Sequence, residues 1–184
     1  SQKTILFYDH AQSIKPSDAP RQAFDQLKHG DQTRIESLKS QFRVKGGNAY
    51  VSFVDRLLNN SLQGQSAYQS KQYELMLFDS LADMVDQIKQ RDSEYGLSRL
   101  IAGYAWKWIS NKDENAFDIV IDDVQLKWNT TSLDWINAKD SVNEVGCIHT
   151  TQGYDLNYSG IIFGHEIGYD PITKEIVIHK DNYF

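Results

Sequence analysis

Two short apolar runs, Val145 to His149 and Gly160 to Phe163, flank a polar stretch that opens with two threonines. A run apolar on both faces is the mark of a strand buried on both faces, as in a parallel sheet. Parallel neighbours must be joined by a crossover, most often a helix, and the polar stretch reads as a helix start. The same alternation runs through the rest of the chain. Lys3 to Tyr8 is an apolar run ending in Asp9, and Lys15 to Pro20 is a turn cluster in which Ser17 or Asp18 can cap a short helix over Ala23 to Lys28. Arg34 to Arg43 suits a helix through Ile35, Leu38 and Phe42, although its end alternates like a strand. After the break Gly46-Gly47-Asn48, residues Ala49 to Leu58 form an amphipathic helix with Tyr50, Phe53, Val54, Leu57 and Leu58 on one face. A polar loop over Gln63 to Gln72 leads to a strand at Tyr73 to Phe78 and a helix at Leu81 to Lys89. Strands follow at Arg99 to Ala102 and Phe117 to Ile121, the latter continued hairpin-fashion by Val124 to Trp128; Ile172 to His179 alternates like an edge strand. Strands alternating with helices predict an α/β fold with a mainly parallel sheet.

The apolar content of 40% and charged content of 24% belong to a globular chain, and 22 aromatic residues (ten Tyr, eight Phe, four Trp) exclude disorder throughout. No apolar run reaches the length of a membrane span, and no signal peptide opens the sequence. The single cysteine, Cys147, rules out an internal disulfide framework and fits a reducing, cytoplasmic setting. A net charge of −6 does not suit a free-standing non-specific nucleic-acid binder. The apolar opening and abrupt close, Asn182-Tyr-Phe184, predict a piece of a larger protein.

Three segments carry chemistry. In Val145-Gly-Cys-Ile-His-Thr-Thr-Gln-Gly-Tyr-Asp155, a strand delivers His149, Thr150 and Thr151 to the carboxyl edge of the sheet, where α/β folds bind ligands. Backbone N–H groups at the helix start and the threonine hydroxyls suit phosphate oxygens. Gly153 allows close backbone approach, and Asp155 offers a carboxylate to a sugar hydroxyl. In Ile5-Leu-Phe-Tyr-Asp9-His-Ala-Gln12-Ser-Ile14, an apolar strand pattern ends in a polar turn that carries the Gln12 amide. In Leu38-Lys-Ser-Gln-Phe-Arg43, the arginine offers a planar fork suited to phosphate.

In this order the three segments resemble the third (Asp9, Gln12), fourth (Arg43) and fifth (His149 to Asp155) motifs of superfamily 1 helicases. Gly-Cys-Ile-His and Gln-Gly-Tyr-Asp, with Arg99-Leu-Ile-Ala-Gly-Tyr-Ala-Trp106, bring the resemblance closer to the Schlafen group 3-like DNA/RNA helicase domain family of bacterial ATPases. Tyr8 stands where the wider superfamily has Gly. The resemblance implies a RecA-like, P-loop NTPase-type domain over 21–184, the second of a pair, preceded over 1–20 by the end of the first. It implies ATP and Mg²⁺ as cofactors and DNA or RNA as partner, together with the first RecA-like domain. By the same resemblance Asp9, Gln12, Arg43, Gly153 and Asp155 face the nucleotide, Gln12 and Arg43 in catalytic roles. His149, Thr150 and Thr151 face the nucleic acid. No Gly-x-x-x-x-Gly-Lys-Ser/Thr occurs, no acidic motif for Mg²⁺ precedes Gln12, and no arginine-bearing sixth motif follows Asp155, so the 184 residues alone are expected to be inactive.

Other readings compete. Asp118, Asp122 or Asp123 with Gln125-Leu-Lys127 imitates the carboxylate and lysine arrangement of a metal-dependent nuclease. His10, His149, His165, Glu166 and His179 lack the local spacing of a zinc site. Cys147 sits among apolar neighbours as an inert thiol, and Tyr104, Trp106 and Trp108 suit packing between elements or base stacking. A non-catalytic docking module is the third reading.

Overall fold

The computed structural model describes residues 3–9, 20–38, 44–64, 67–131 and 133–184. It divides into two units, Ser1–Ser40 and Gln41–Phe184. In the first, helix α1 (Arg21–Lys28) is the regular element among the described residues, and Phe24 stacks on Tyr8 with ring centroids 3.9 Å apart. Residues 3–9 do not form the expected strand. A strand is stable only in a ladder, and this run has no ladder partner among the described residues; Ile5 and Phe7 stay about four-fifths exposed.

The second unit is built on a three-stranded parallel sheet in the order β4-β1-β5, with β1 at Ser98–Ala102, β4 at Val145–Cys147 and β5 at Tyr158–Ile162. The central strand β1 is buried along its whole length. The registers align Cys147, Ala102 and Ile162 in one row at the carboxyl edge. Beyond β4 a single parallel bridge adds Trp128 to Val145, whose N–H donates to the Lys127 carbonyl. The parallel α/β architecture read from the sequence is therefore present.

Helix α2 (Gly47–Leu58) follows the glycine break and packs locally, with Tyr50, Phe53, Tyr68 and Tyr73 forming a ring cluster. Residues 73–78 are not the expected strand: Leu77 is 94% exposed and nothing among the described residues pairs with them. Helix α3 (Leu81–Tyr95) starts at Ser80, whose hydroxyl accepts the Asp83 N–H, and covers the sheet with Leu81, Val85 and Ile88. Each fully buried side chain of this size contributes about 1.5–3 kcal/mol. Gly160 permits the approach: a methyl group there would lie 2.9 Å from Leu100, 3.2 Å from Ile88 and 3.3 Å from the Met84 sulfur. The helix runs past Lys89 because its polar last turns face solvent, and it stops where Gly96 adopts φ of 70°.

Asp92 then accepts from the Ser98 N–H and from the buried Arg99 guanidinium, which also donates to the Ile136 carbonyl. A buried charge needs such pairing, and here it ties α3, β1 and the 3₁₀ turn Trp135–Asn137 together. Strands β2 (Ile119–Ile121) and β3 (Val124–Leu126) form the expected hairpin, and β6 (Ile167–Asp170) pairs with β7 (Glu175–Ile178) in a second one. The alternation read over Ile172 to His179 thus yields its strand only from Glu175, with Ile172 in the exposed turn.

Candidate nucleic-acid and nucleotide interface

The carboxyl edge of the sheet is where the described candidate residues gather. Strand β4 ends at Cys147 rather than at His149, and a single-turn helix α4 (Ile148–Thr151) carries His149, Thr150 and Thr151. Small residues make this turn possible. A side chain at Gly146 would collide with the Trp135 ring and lie 2.9 Å from the Thr151 methyl. Thr151 is buried, while His149 and Thr150 are half-buried.

Both threonine hydroxyls point inward. Thr150 Oγ1 lies 2.9 Å from the Cys147 carbonyl and 2.9 Å from Asn129 Oδ1, and Thr151 Oγ1 lies 3.1 Å from the same Cys147 carbonyl. Asn129 is 4% exposed, holds a left-handed φ of 49° and donates its N–H to Val145. Asn tolerates that conformation better than most residues. It was absent from the sequence reading; its only local signal is a turn-prone residue directly after an alternating strand.

The His149 ring packs 5.5 Å from Tyr104, on the loop after β1. Tyr104 also meets Trp128 at 5.2 Å and Tyr183 at 5.7 Å, so the aromatic loop is here a packing device at the strand ends. Burial, and then a hydrogen bond with Cys147, hold the Tyr104 phenol well above its ordinary range, so the ring stays neutral near pH 7. Cys147 is buried. Gly153, with φ of 97°, turns the chain out of α4, and Asp155 beyond it is exposed. Tyr154 donates its hydroxyl to Asp134 at 3.1 Å.

Asp9 belongs to the first unit and is exposed. Gln12, Arg43 and His10 lie outside the described residues.

Of the carboxylates offered for a nuclease, Asp118 is an internal acceptor. Asp118 Oδ1 receives the Ile109 and Ser110 N–H groups at 2.7 and 2.8 Å, and Oδ2 receives the Ser110 hydroxyl at 2.5 Å and the Trp128 N–H at 2.7 Å. Lys127 Nζ donates to the Glu114 carbonyl. Among the described residues no three His, Cys, Asp or Glu side chains are grouped to hold a metal ion. Glu144 plays a similar internal part, accepting from Thr130 N–H and hydroxyl and from Trp135 Nε1. No described helix is long and apolar enough to cross a membrane.

Comparison with known proteins agrees with the family resemblance. The family model described as Schlafen group 3, DNA/RNA helicase domain matches residues 1–184, the whole chain. An uncharacterized protein of Saccharomyces cerevisiae, YPL245W, is 26% identical over 164 residues, covering 80% of this chain and 36% of the yeast protein. The chain thus spans about a third of that relative's length. No solved structure matches.

Proposed function

The chain belongs to the Schlafen group 3 DNA/RNA helicase domain family, and from that premise we propose that it supplies part of the ATP cleft and the nucleic-acid coupling element of a nucleic-acid-dependent ATPase. The observation that carries the reading is the family match over the whole chain, supported by the presence of His149, Thr150 and Thr151 on one turn at the carboxyl edge of a parallel sheet. On this reading residues 21–184 are the second RecA-like domain of a pair, and 1–20 close the first.

Gln12 orients the attacking water and Arg43 neutralises charge on the γ-phosphate, the roles for which a neutral amide and a bidentate cation are suited. Asp155 meets the ribose, Asp9 and Gly153 line the nucleotide cleft, and His149, Thr150 and Thr151 link that cleft to DNA or RNA. Mg²⁺ would be held by residues outside these 184. A phosphate oxygen only accepts hydrogen bonds, whereas the Thr150 and Thr151 protons already face internal acceptors. Contact through these hydroxyls therefore calls for α4 to exchange partners when ligand arrives.

The test is ATP hydrolysis by the full-length protein with and without single-stranded DNA and RNA, beside Gln12→Ala and Arg43→Ala. Stimulation by one nucleic acid, lost in both variants, is expected. A background rate indifferent to nucleic acid and to both substitutions would overturn the reading and favour a docking module.

A further inference from the structure

The outer edge of β5 is open among the described residues, since the sheet ends there in the order β4-β1-β5. Unpaired N–H and C=O groups on such an edge recruit further strands, and natural sheets blunt it with charge, proline or a bulge. Tyr158-Ser-Gly-Ile-Ile162 carries neither charge nor proline. It is an edge suited to being covered.

The chain brings a segment to it. Helix α3 runs antiparallel to β5: the Arg91 guanidinium stands 4.8 Å from the Tyr158 ring and the Tyr95 ring 5.6 Å from it, whereas Gly160 faces Ile88 and Met84, nearer the helix start. The first helical residue, Leu81, therefore lies towards Ile162 and the carboxyl edge. Arg91 also pairs with Glu74 at 3.0 Å, which holds Glu74 near the start of β5. Phe78, just before the cap at Ser80, lies near the strand's end. Residues 74 to 78 and 158 to 162 have the same extended length, about 13 Å each.

The facing agrees with the length. Glu74 turns towards α3, so in a strand Met76 and Phe78 would share that face, as Tyr158, Gly160 and Ile162 do on β5. The matching register is Glu74 with Tyr158, Met76 with Gly160 and Phe78 with Ile162. Leu77 and Ile161, both exposed, then fall side by side on the opposite face. Both ends are tethered, one by α3 and the other by Tyr73, whose ring lies 4.4 Å from Tyr50 of α2. A short segment fixed at both ends loses little further entropy on pairing.

We propose that residues 74–78 are a strap that closes onto the free edge of β5 as a fourth parallel strand, with α3 as its crossover to β1. In the structure the strap stands open, forming no ladder with β5 and leaving Leu77 exposed. Closure satisfies the edge and brings Met76 beside Gly160 beneath α3. Because Tyr73 belongs to the α2 ring cluster, the closed strap also ties α2 to the sheet that carries α4. The inference stands independently of the nucleic-acid reading.

Hydrogen exchange resolved to single amides on the full-length protein tests it. Every second residue of a parallel edge strand turns its N–H to the neighbour, so alternate amides from Glu74 to Phe78 are expected to exchange at least about tenfold more slowly than those between them. Directly opposed residues of neighbouring strands lie about 5 Å apart, within reach of a disulfide. Leu77→Cys with Ile161→Cys, both at exposed positions, is therefore expected to oxidise readily, whereas Leu77→Cys with Val120→Cys, on the hairpin beyond β4, stays reduced. Uniformly fast exchange across 74–78, or a Leu77 and Ile161 cysteine pair that stays reduced, overturns the proposal.

Discussion

Replacing Asp118 with Ala separates two accounts of the β2–β3 region by their energetics. The side chain is 6% exposed and receives four hydrogen bonds, three of them from backbone N–H groups of Ile109, Ser110 and Trp128. The substitution strands those three donors while the Ser110 hydroxyl can turn elsewhere. Each buried unsatisfied donor costs about 1–3 kcal/mol, but relaxation and entering water recover part of that, so the expected loss is about 4 kcal/mol. With a urea slope of about 2 kcal/mol/M, the unfolding midpoint falls by about 2 M at unchanged slope. Asp118→Asn keeps one oxygen and should lose about half as much, because its amide nitrogen opposes the Trp128 N–H. A carboxylate held for a metal ion behaves oppositely. Removing its charge without metal would be neutral or stabilising, and Mg²⁺ would stabilise only the wild type. Stability within about 0.5 kcal/mol of wild type for both variants would refute the internal-acceptor account.

Three further outcomes follow from the packing and the pKa directions. Gly160→Ala pushes a methyl group against Leu100, Ile88 and Met84 and should cost about 1–3 kcal/mol in thermal unfolding, whereas an unchanged melting temperature would show that α3 yields freely. Glu144→Ala strands the Trp135 indole and the Thr130 N–H, which share one carboxylate oxygen, and should cost about 1–3 kcal/mol for each donor by the same assay; full stability would dissolve that hub. The Tyr73 phenol is pushed up from 10.0 to about 12, first by burial and then by Tyr50. Since the folded state holds the proton more tightly, this stability is complete below pH about 10 and is lost as pH climbs to about 12. Tyr73→Phe should flatten the loss, and ultraviolet titration showing every tyrosine ionising near 10 would contradict it.

The elements legible in the sequence are those whose signal is local. Leu81, Met84, Val85 and Ile88 repeat at helical spacing, and α3 forms there; the run around Leu100 is apolar on both faces, and it is the central strand. The end of α3 was missed because Gln90 to Glu94 carry no apolar stripe, although Gly96 is the stop signal. Residues 3–8 and 73–78 have strand-like composition, but pairing is a non-local property that composition does not carry. At the site, the string around His149 marked the carboxyl edge, since a strand followed by polar helix-starting residues has few other uses in an α/β sheet. Asp118 stayed open to a rival reading for a different reason. A metal-binding carboxylate and an internal acceptor are identical in sequence, and only the folding of Ile109 and Ser110 back onto the hairpin distinguishes them.

The acceptors around α4 extend the same lesson to the proposed coupling element. Thr150 has one proton and two acceptors at equal distance, the Cys147 carbonyl and Asn129 Oδ1. Donating to one leaves the other to find another donor, so the arrangement holds two states of similar hydrogen-bond content. A ligand phosphate that takes the proton replaces the one neutral bond it makes, at a cost of about 1 kcal/mol. A charge-assisted bond to phosphate is roughly twice as strong as a neutral one, which is enough to offset that cost. On the proposed reading, Asn129 makes Thr150 responsive to an anion rather than permanently presented to it. Its left-handed backbone and burial fix the acceptor in place while the hydroxyl rotates. A residue with this influence has no motif of its own, because its role comes from the parallel bridge that sets residues 128–129 beside β4.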